Sequence, residues 1–181
     1  LALRLCGIPV KERVAGVDLF QEVLAVCAED GFRPFLLGAT TDVLHQTAAV
    51  ITARFPHIQL AGLRDGYYRP DQEPEVVEQI ANSKADCLFI AMPTPRKERF
   101  LSAYRERLGV PFIMGVGGSF DVVAGYVRRA PPMMQVMGLE WLYRIYQEPR
   151  RMWWRYLKTN TLFAGILIQQ GVGFRKLPRL G

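Results

Sequence analysis

Arg33-Pro34-Phe35-Leu36-Leu37-Gly38-Ala39-Thr40-Thr41 is the stretch that decides the fold. Arg33 to Leu37 reads as a short buried strand, and Gly38 ends it. Thr40 or Thr41 then caps a helix running toward Phe55, with Leu44, Ala48 and Ile51 on one face and Pro56 as a stop. Strand, glycine turn and helix make one βα unit. Upstream, Leu19 to Asp30 places Leu19, Val23, Val26 and Cys27 at helical spacing, with Asp18 as the N-cap and Gly31 as the end. Downstream the unit repeats in type. Ile58 to Leu63 reads as a strand, Pro74 to Asn82 as a helix, Asp86 to Ile90 as a strand, Pro95 to Arg107 as a helix and Pro111 to Val116 as a strand.

Strands alternating with helices imply right-handed crossovers. The expected fold class is therefore α/β, with a Rossmann-like, mostly parallel sheet covered by helices on both faces. After Val116, the run Gly117-Gly118-Ser119-Phe120-Asp121 opens a helical stretch to Arg129, and Ala130-Pro131-Pro132 breaks it. Amphipathic segments follow around Leu139 to Tyr146 and Arg150 to Leu157. The predicted division is a nucleotide-sugar-binding core over residues 1–130 and a helical, basic appendage over residues 131–181.

With 181 residues, half of them hydrophobic, the chain can bury a sizeable core, and its charges are too interspersed for general disorder. Lys and Arg exceed Asp and Glu by 23 to 17, a formal charge of +6 that favours anionic partners. Arg128, Arg129, Arg144, Arg150, Arg151, Arg155 and Lys158 concentrate that excess late in the chain, opposed there by Glu140 and Glu148. Cys6, Cys27 and Cys87 are odd in number and widely spaced among apolar neighbours, so neither a disulfide framework nor a zinc knuckle is expected, and a reducing setting fits. The longest late apolar run, Leu162 to Ile168, is far short of a membrane span. The chain begins with Leu, so its natural start is expected upstream.

Ligands of open parallel sheets bind at the carboxyl ends of the strands, which singles out four loops. Gly38-Ala39-Thr40-Thr41 and Gly115-Val116-Gly117-Gly118-Ser119 can bring backbone N–H groups to phosphate oxygens, or can be tight loop-on-helix packing. Phe120 stands where a dinucleotide fingerprint has its third Gly, and no Walker lysine pattern occurs. Asp65 can accept from ribose hydroxyls or serve as an Asp-Gly turn residue, and Asp121 can accept from a ribose or base edge or cap a helix. Lys97 and Glu98 are candidate catalytic residues. Lys97 can neutralise a leaving diphosphate; the alternative is a solvated charged face shared with Arg96 and Arg99. His45 and His57 lack a second ligand at metal spacing, and no Ser or Cys sits in a nucleophile setting, which argues against a hydrolase. Trp141, Tyr143, Tyr146, Trp153, Trp154 and Tyr156 mix with the late basic residues. That mixture suits an anionic membrane interface, with Arg150, Arg151, Trp153, Trp154, Arg155 and Lys158 as the contact set rather than a nucleic-acid face.

Seven stretches, in order, carry a family resemblance. They are Glu12-Arg13-Val14-Ala15-Gly16-Val17-Asp18-Leu19, Phe35-Leu36-Leu37-Gly38, Asp65-Gly66-Tyr67, Pro95-Arg96-Lys97-Glu98, Gly115-Val116-Gly117-Gly118-Ser119-Phe120-Asp121, Arg129-Ala130-Pro131 and Gly138-Leu139-Glu140-Trp141-Leu142-Tyr143-Arg144. Together they resemble the WecG/TagA/CpsF family of bacterial sugar transferases. The resemblance implies inverting transfer from a UDP-sugar to an undecaprenyl-diphosphate-linked acceptor, in teichoic acid, common antigen, capsule or exopolysaccharide synthesis. It implies a cytoplasmic enzyme, peripheral on the inner face of the cell membrane, with no cofactor or metal requirement.

By the same resemblance Arg13 lies near the donor diphosphate, Gly66 and Asp121 line the nucleotide pocket, and Lys97 stands by the sugar or diphosphate; the loop reading adds Gly38, Ala39, Asp65, Tyr67, Gly117 and Gly118 as nucleotide-binding candidates. Lys97 replaces the family's usual Gln in a Pro-Lys-Gln-Glu loop, which leans the donor toward a neutral hexose. The family's proposed base, an Asp in an Asp-Gly motif, is expected upstream of Leu1. The late helices resemble the family's membrane-docking appendage, whose displacement would favour a homo-oligomer. The alternatives are a non-catalytic nucleotide-binding module, which donor turnover by the full-length protein would exclude, and a membrane-associated scaffold, which tight UDP-sugar binding abolished by Arg13→Ala would exclude.

Overall fold

The computed structural model describes residues 14–137, 139–147, 149, 159, 161–163 and 165–166. They form two compact units, Val14–Arg128 and the residues from Arg129 onward. In the first unit the elements run α1 (Gly16–Asp30), β1 (Pro34–Gly38), α2 (Thr41–Arg54), β2 (Gly62–Arg64), a 3-10 turn (Pro70–Gln72), α3 (Glu73–Asn82), β3 (Cys87–Ala91), α4 (Arg96–Leu108), β4 (Phe112–Gly115) and α5 (Ser119–Val123). The four strands are parallel and lie in the order β2-β1-β3-β4. The expected α/β architecture is the one observed.

The period-two alternation of the strands splits the core into two layers. Phe35 and Leu37 of β1, with Leu88 and Ile90 of β3, pack under α3 and α4 against Val76, Val77, Ile80 and Phe100. Leu36, Cys87 and Phe89 face the other way, against Phe20 and Leu24 of α1, Leu44 and Ile51 of α2 and Phe120 of α5. Phe20 meets the edge of Phe89 at 4.8 Å between ring centroids and Phe120 at 5.6 Å, which ties α1 to the sheet and to α5. Thr47, fully buried on α2, reaches the carbonyl of Phe120 at 3.1 Å and joins α2 to α5.

Three boundaries differ from the sequence expectation, each for a local reason. α1 begins before Asp18 because the N–H groups of Asp18 and Leu19 already donate to the Ala15 carbonyl, at 3.0 and 3.1 Å. Asp18 thus sits in the first turn, where its carboxylate still favours the helix N-terminus. β2 is only Gly62–Arg64, not Ile58 to Leu63, because β1 starts at Pro34 and offers no partner further back; Ile58 is buried in the core from a loop instead. The helix after β4 stops at Val123 rather than Arg129, since Gly125 turns left-handed at φ 82° and the Val127 N–H folds back onto the Asp121 carbonyl.

Thr40 does cap α2, its hydroxyl accepting from the Val43 N–H, and Gly31 ends α1 in the left-handed region. In the second unit Pro132 opens α6 (Pro132–Val136) instead of breaking a helix, because proline is tolerated in the first turn where N–H groups lack partners. α7 (Glu140–Gln147) follows, with Glu140 paired to Arg129 at 3.8 Å. Among the described residues no helix is long and apolar enough to cross a membrane.

Cys27 of α1 and Cys87 at the start of β3, far apart in sequence, lie with their sulfurs 3.7 Å apart as buried free thiols. Burial first, and the neighbouring Cys87 second, push the Cys27 thiol up to about 12. The protonated thiol is therefore favoured in the folded chain. Its contribution to stability is whole below the ordinary value of about 9.0 and is lost as pH rises toward about 12. Denaturant midpoints should fall faster across that window for the native chain than for Cys27→Ala, and parallel pH curves would show that this thiol does not couple to folding.

Candidate active site

The chain moves from β1 outward to β2 and then returns to the opposite side of β1 for β3. The crevice at the carboxyl ends of β1 and β3 is thus the switch point where ligands of such sheets bind. Two glycines shape it. Gly38 has φ 122°, and a Cβ there would lie 2.5 Å from the Ala91 carbonyl oxygen. The Ala39 N–H donates to that same oxygen at 3.1 Å, so the end of β1 is pinned to the end of β3. Gly66 in turn donates its N–H to the Ala39 carbonyl at 2.9 Å, and a Cβ on it would meet Gly38 Cα at 3.0 Å.

Asp65 bends the β2 loop by accepting the Tyr67 N–H at 2.9 Å, an Asx turn that agrees with the Asp-Gly turn reading. Tyr67 is left 77% exposed at the tip, whereas Tyr68 is buried with its hydroxyl donating to Met92 Sδ at 3.4 Å. From the end of β3, after the cis Thr94–Pro95 bond, α4 sends two cations in different directions. Arg96 donates from Nη1 to the Gly66 carbonyl at 2.7 Å and from Nη2 to the Tyr68 carbonyl at 2.8 Å. Lys97 lies across Gly115, where a Cβ would stand 2.8 Å from Nζ, and pairs with Glu98 at 3.3 Å.

At the end of β4, Gly117 is left-handed at φ 54°, and the buried Ser119 hydroxyl donates to the Val116 carbonyl at 2.7 Å. Asp121 is partly buried in the first turn of α5, with Gly118 rather than Asp121 at the N-cap.

A family model described as Glycosyl transferase WecG/TagA/CpsF family matches residues 1–177. The chain belongs to this family. It is a glycosyltransferase of cell-wall or polysaccharide synthesis, acting on a sugar donor and an acceptor.

In this glycosyltransferase the loops at the switch point divide into two groups. Gly38, Ala39 and Gly66 form one backbone assembly, and the Ala39 and Gly66 N–H groups are spent on it. Lys97, Glu98 and Gly115 form the other. Glu98 is exposed, yet its carboxyl is held below the ordinary range, first by its own backbone N–H at the start of α4, then by Lys97 and by Thr94, whose hydroxyl donates to Oε1 at 3.1 Å. Such a carboxylate is a weak proton acceptor and a good anchor, and what it anchors is the Lys97 ammonium.

Arg13, Arg150, Arg151, Trp153, Trp154, Arg155 and Lys158 lie outside the described residues. His45 and His57 are exposed, and among the described residues no three His, Cys, Asp or Glu gather as metal ligands. A groove between α1 and α2, lined by Glu29, Arg54 and His57, opens at the opposite end of the sheet and holds none of the loop residues. Sequence reasoning passed over Arg96 and Tyr68. No local pattern marks them, because the carbonyls that Arg96 grips lie 30 and 28 residues upstream.

The two close glycines should respond differently to a methyl group. Gly38→Ala forces Cβ against backbone in a left-handed conformation and should cost about 1–3 kcal/mol or more by denaturant titration. Gly115→Ala is met most closely by the side-chain end of Lys97, which can shift where backbone cannot, and should cost less than about 1 kcal/mol while lowering sugar transfer, because the ammonium must move. Unchanged transfer in Gly115→Ala would remove Lys97 from the chemistry.

Proposed function

We propose that the enzyme transfers a sugar, with inversion, from a UDP-sugar to an undecaprenyl-diphosphate-linked acceptor at the cytoplasmic face of the bacterial membrane. The product would enter an exopolysaccharide, capsule or cell-wall polymer. The observation that carries the reading is the Lys97 ammonium, fixed by Glu98 over Gly115 at the carboxyl edge of the sheet in a member of a glycosyltransferase family. In the reaction a base removes the proton of the acceptor hydroxyl, that oxygen attacks the anomeric carbon from the far side, and the bond to the diphosphate breaks with its electron pair leaving on UDP. Lys97, with Arg13 by resemblance, would meet the negative charge that develops on the leaving oxygen, the role a metal plays elsewhere. The lean toward a neutral hexose rests on Lys97 standing where the family usually carries Gln.

UDP should raise the apparent melting temperature more than ADP, GDP or CMP, since a ligand of the folded state stabilises by mass action. That stabilisation should vanish in Arg13→Ala. Lys97→Met should lower transfer on the order of a hundredfold, the usual effect of removing one donor to a developing oxyanion. Transfer by the native enzyme should persist in a chelator. Equal stabilisation by all four nucleotides would overturn the UDP reading.

Membrane contact is supported by the second unit, where Met133, Met137, Tyr146, Leu162 and Phe163 are each more than half exposed, and by the basic residues that the sequence carries from Arg150 to Lys158. Sedimentation with vesicles should recover the protein on anionic lipid, less on neutral lipid, and less again as salt is raised. Equal recovery on both lipids would argue against an electrostatic membrane face.

A further inference from the structure

Arg96 sits beside Lys97 on the first turn of α4, and its guanidinium is turned to the loop after β2. One nitrogen holds the Gly66 carbonyl at 2.7 Å, the other holds the Tyr68 carbonyl at 2.8 Å, and the plane lies 4.4 Å over the Tyr68 ring. The two carbonyls flank Tyr67. A planar fork suits this task, because two donors fixed in one plane define the orientation of the segment between their acceptors as well as its distance. Below, the Gly66 N–H is tied to Ala39, which is tied to Ala91 of β3. The β2 loop is therefore gripped from both sides, by backbone at its base and by Arg96 from β3's own helix. What this grip leaves free is the Tyr67 ring, 77% exposed on a segment held at the carbonyls on both sides of it. An exposed aromatic on a restrained loop is a stacking platform for a planar base.

We propose that Arg96 is a positioning residue. It fixes the Asp65-Gly66-Tyr67 loop in the form that receives the nucleoside of a nucleoside diphosphate, and it does so through the two donors it gives to the Gly66 and Tyr68 carbonyls. The inference rests on the nucleotide-donor reading above. A loop that must otherwise be ordered at each binding event lowers affinity by the cost of ordering it, so loosening the grip raises the dissociation constant without altering the number of sites. A residue needed only for folding behaves in the opposite way: its loss lowers the number of competent sites and leaves the affinity of the survivors unchanged.

Calorimetric titration of the chain with UDP separates these cases. Arg96→Met should raise Kd by about tenfold or more with stoichiometry and circular dichroism unchanged, and Arg96→Lys should fall between it and the native chain, because an ammonium still donates to the loop carbonyls but without the planar fork. A Kd within about twofold of native in Arg96→Met, or a fall in stoichiometry at constant Kd, overturns the positioning role while the native chain's binding of UDP keeps the donor reading intact. If the native chain itself does not bind UDP, the donor reading falls and takes the inference with it. Should Arg96→Met fail to fold, Arg96→Gln replaces it. Binding weaker than in Arg96→Lys upholds the proposal, and equal binding overturns it.

Discussion

The contact on which the carboxyl edge depends is the one between β1 and β3, where Gly38 Cα runs so close to the Ala91 carbonyl that a Cβ would sit 2.5 Å from its oxygen. That oxygen accepts the Ala39 N–H, the Ala39 carbonyl accepts the Gly66 N–H, and the Gly66 carbonyl accepts Arg96. Each link requires the one before it. Without the close approach at Gly38 the Ala39 N–H would lose its acceptor, and Gly66 would have nothing fixed to rest on. The polar groups of three loops are satisfied by one another, so the loops can form an edge with few exposed backbone donors.

The same economy limits which backbone donors the loops after β1 and β2 can offer a ligand. A phosphate cradle needs N–H groups that are unspent, and those of Ala39 and Gly66 are committed to the frame. Charge at this edge is carried by side chains. Lys97 supplies the cation, and Glu98, whose ionised form is held by the helix start and by Thr94, fixes where it stands. The absence of a side chain at Gly115 is what gives the lysine room.

How much of this could be read in the sequence follows from the range over which each cause acts. The βα unit at Arg33 to Phe55 was legible because strand, turn, cap and stop are local signals, and Thr40 and Gly31 sit where that reading put them. Asp65 was legible as a turn for the same reason, its acceptor and donor being two residues apart. β2 was misplaced because a strand exists only opposite a partner, and the start of β1 set its limit. The Cys27–Cys87 contact and the hold of Arg96 on the β2 loop join residues 60 and about 30 positions apart, and nothing in either local pattern announces them. The seven family stretches succeeded where single motifs failed because their order along the chain carries information that no one spacing holds, and the family match over residues 1–177 agrees with them.

Arg96 and Lys97 also explain each other. Successive residues on a helix point about 100° apart, so two adjacent cations at a helix start cannot serve the same neighbour. α4 rises from the end of β3, with β1 and β2 on one side of that strand and β4 on the other. Arg96 takes the direction over β1 to the β2 loop, and Lys97 takes the direction to Gly115 at the end of β4. One helical turn therefore reaches both outer strands of the sheet. An exchange of the two side chains would not be neutral even though it conserves charge. A lysine at 96 gives the β2 loop one ammonium where it now has a fork, and an arginine at 97 brings a broad guanidinium to a gap that the slim end of a lysine already fills. The order Arg-Lys at this helix start is thus set by geometry on both sides of β3, and it separates the group that holds the β2 loop from the group that lies over Gly115.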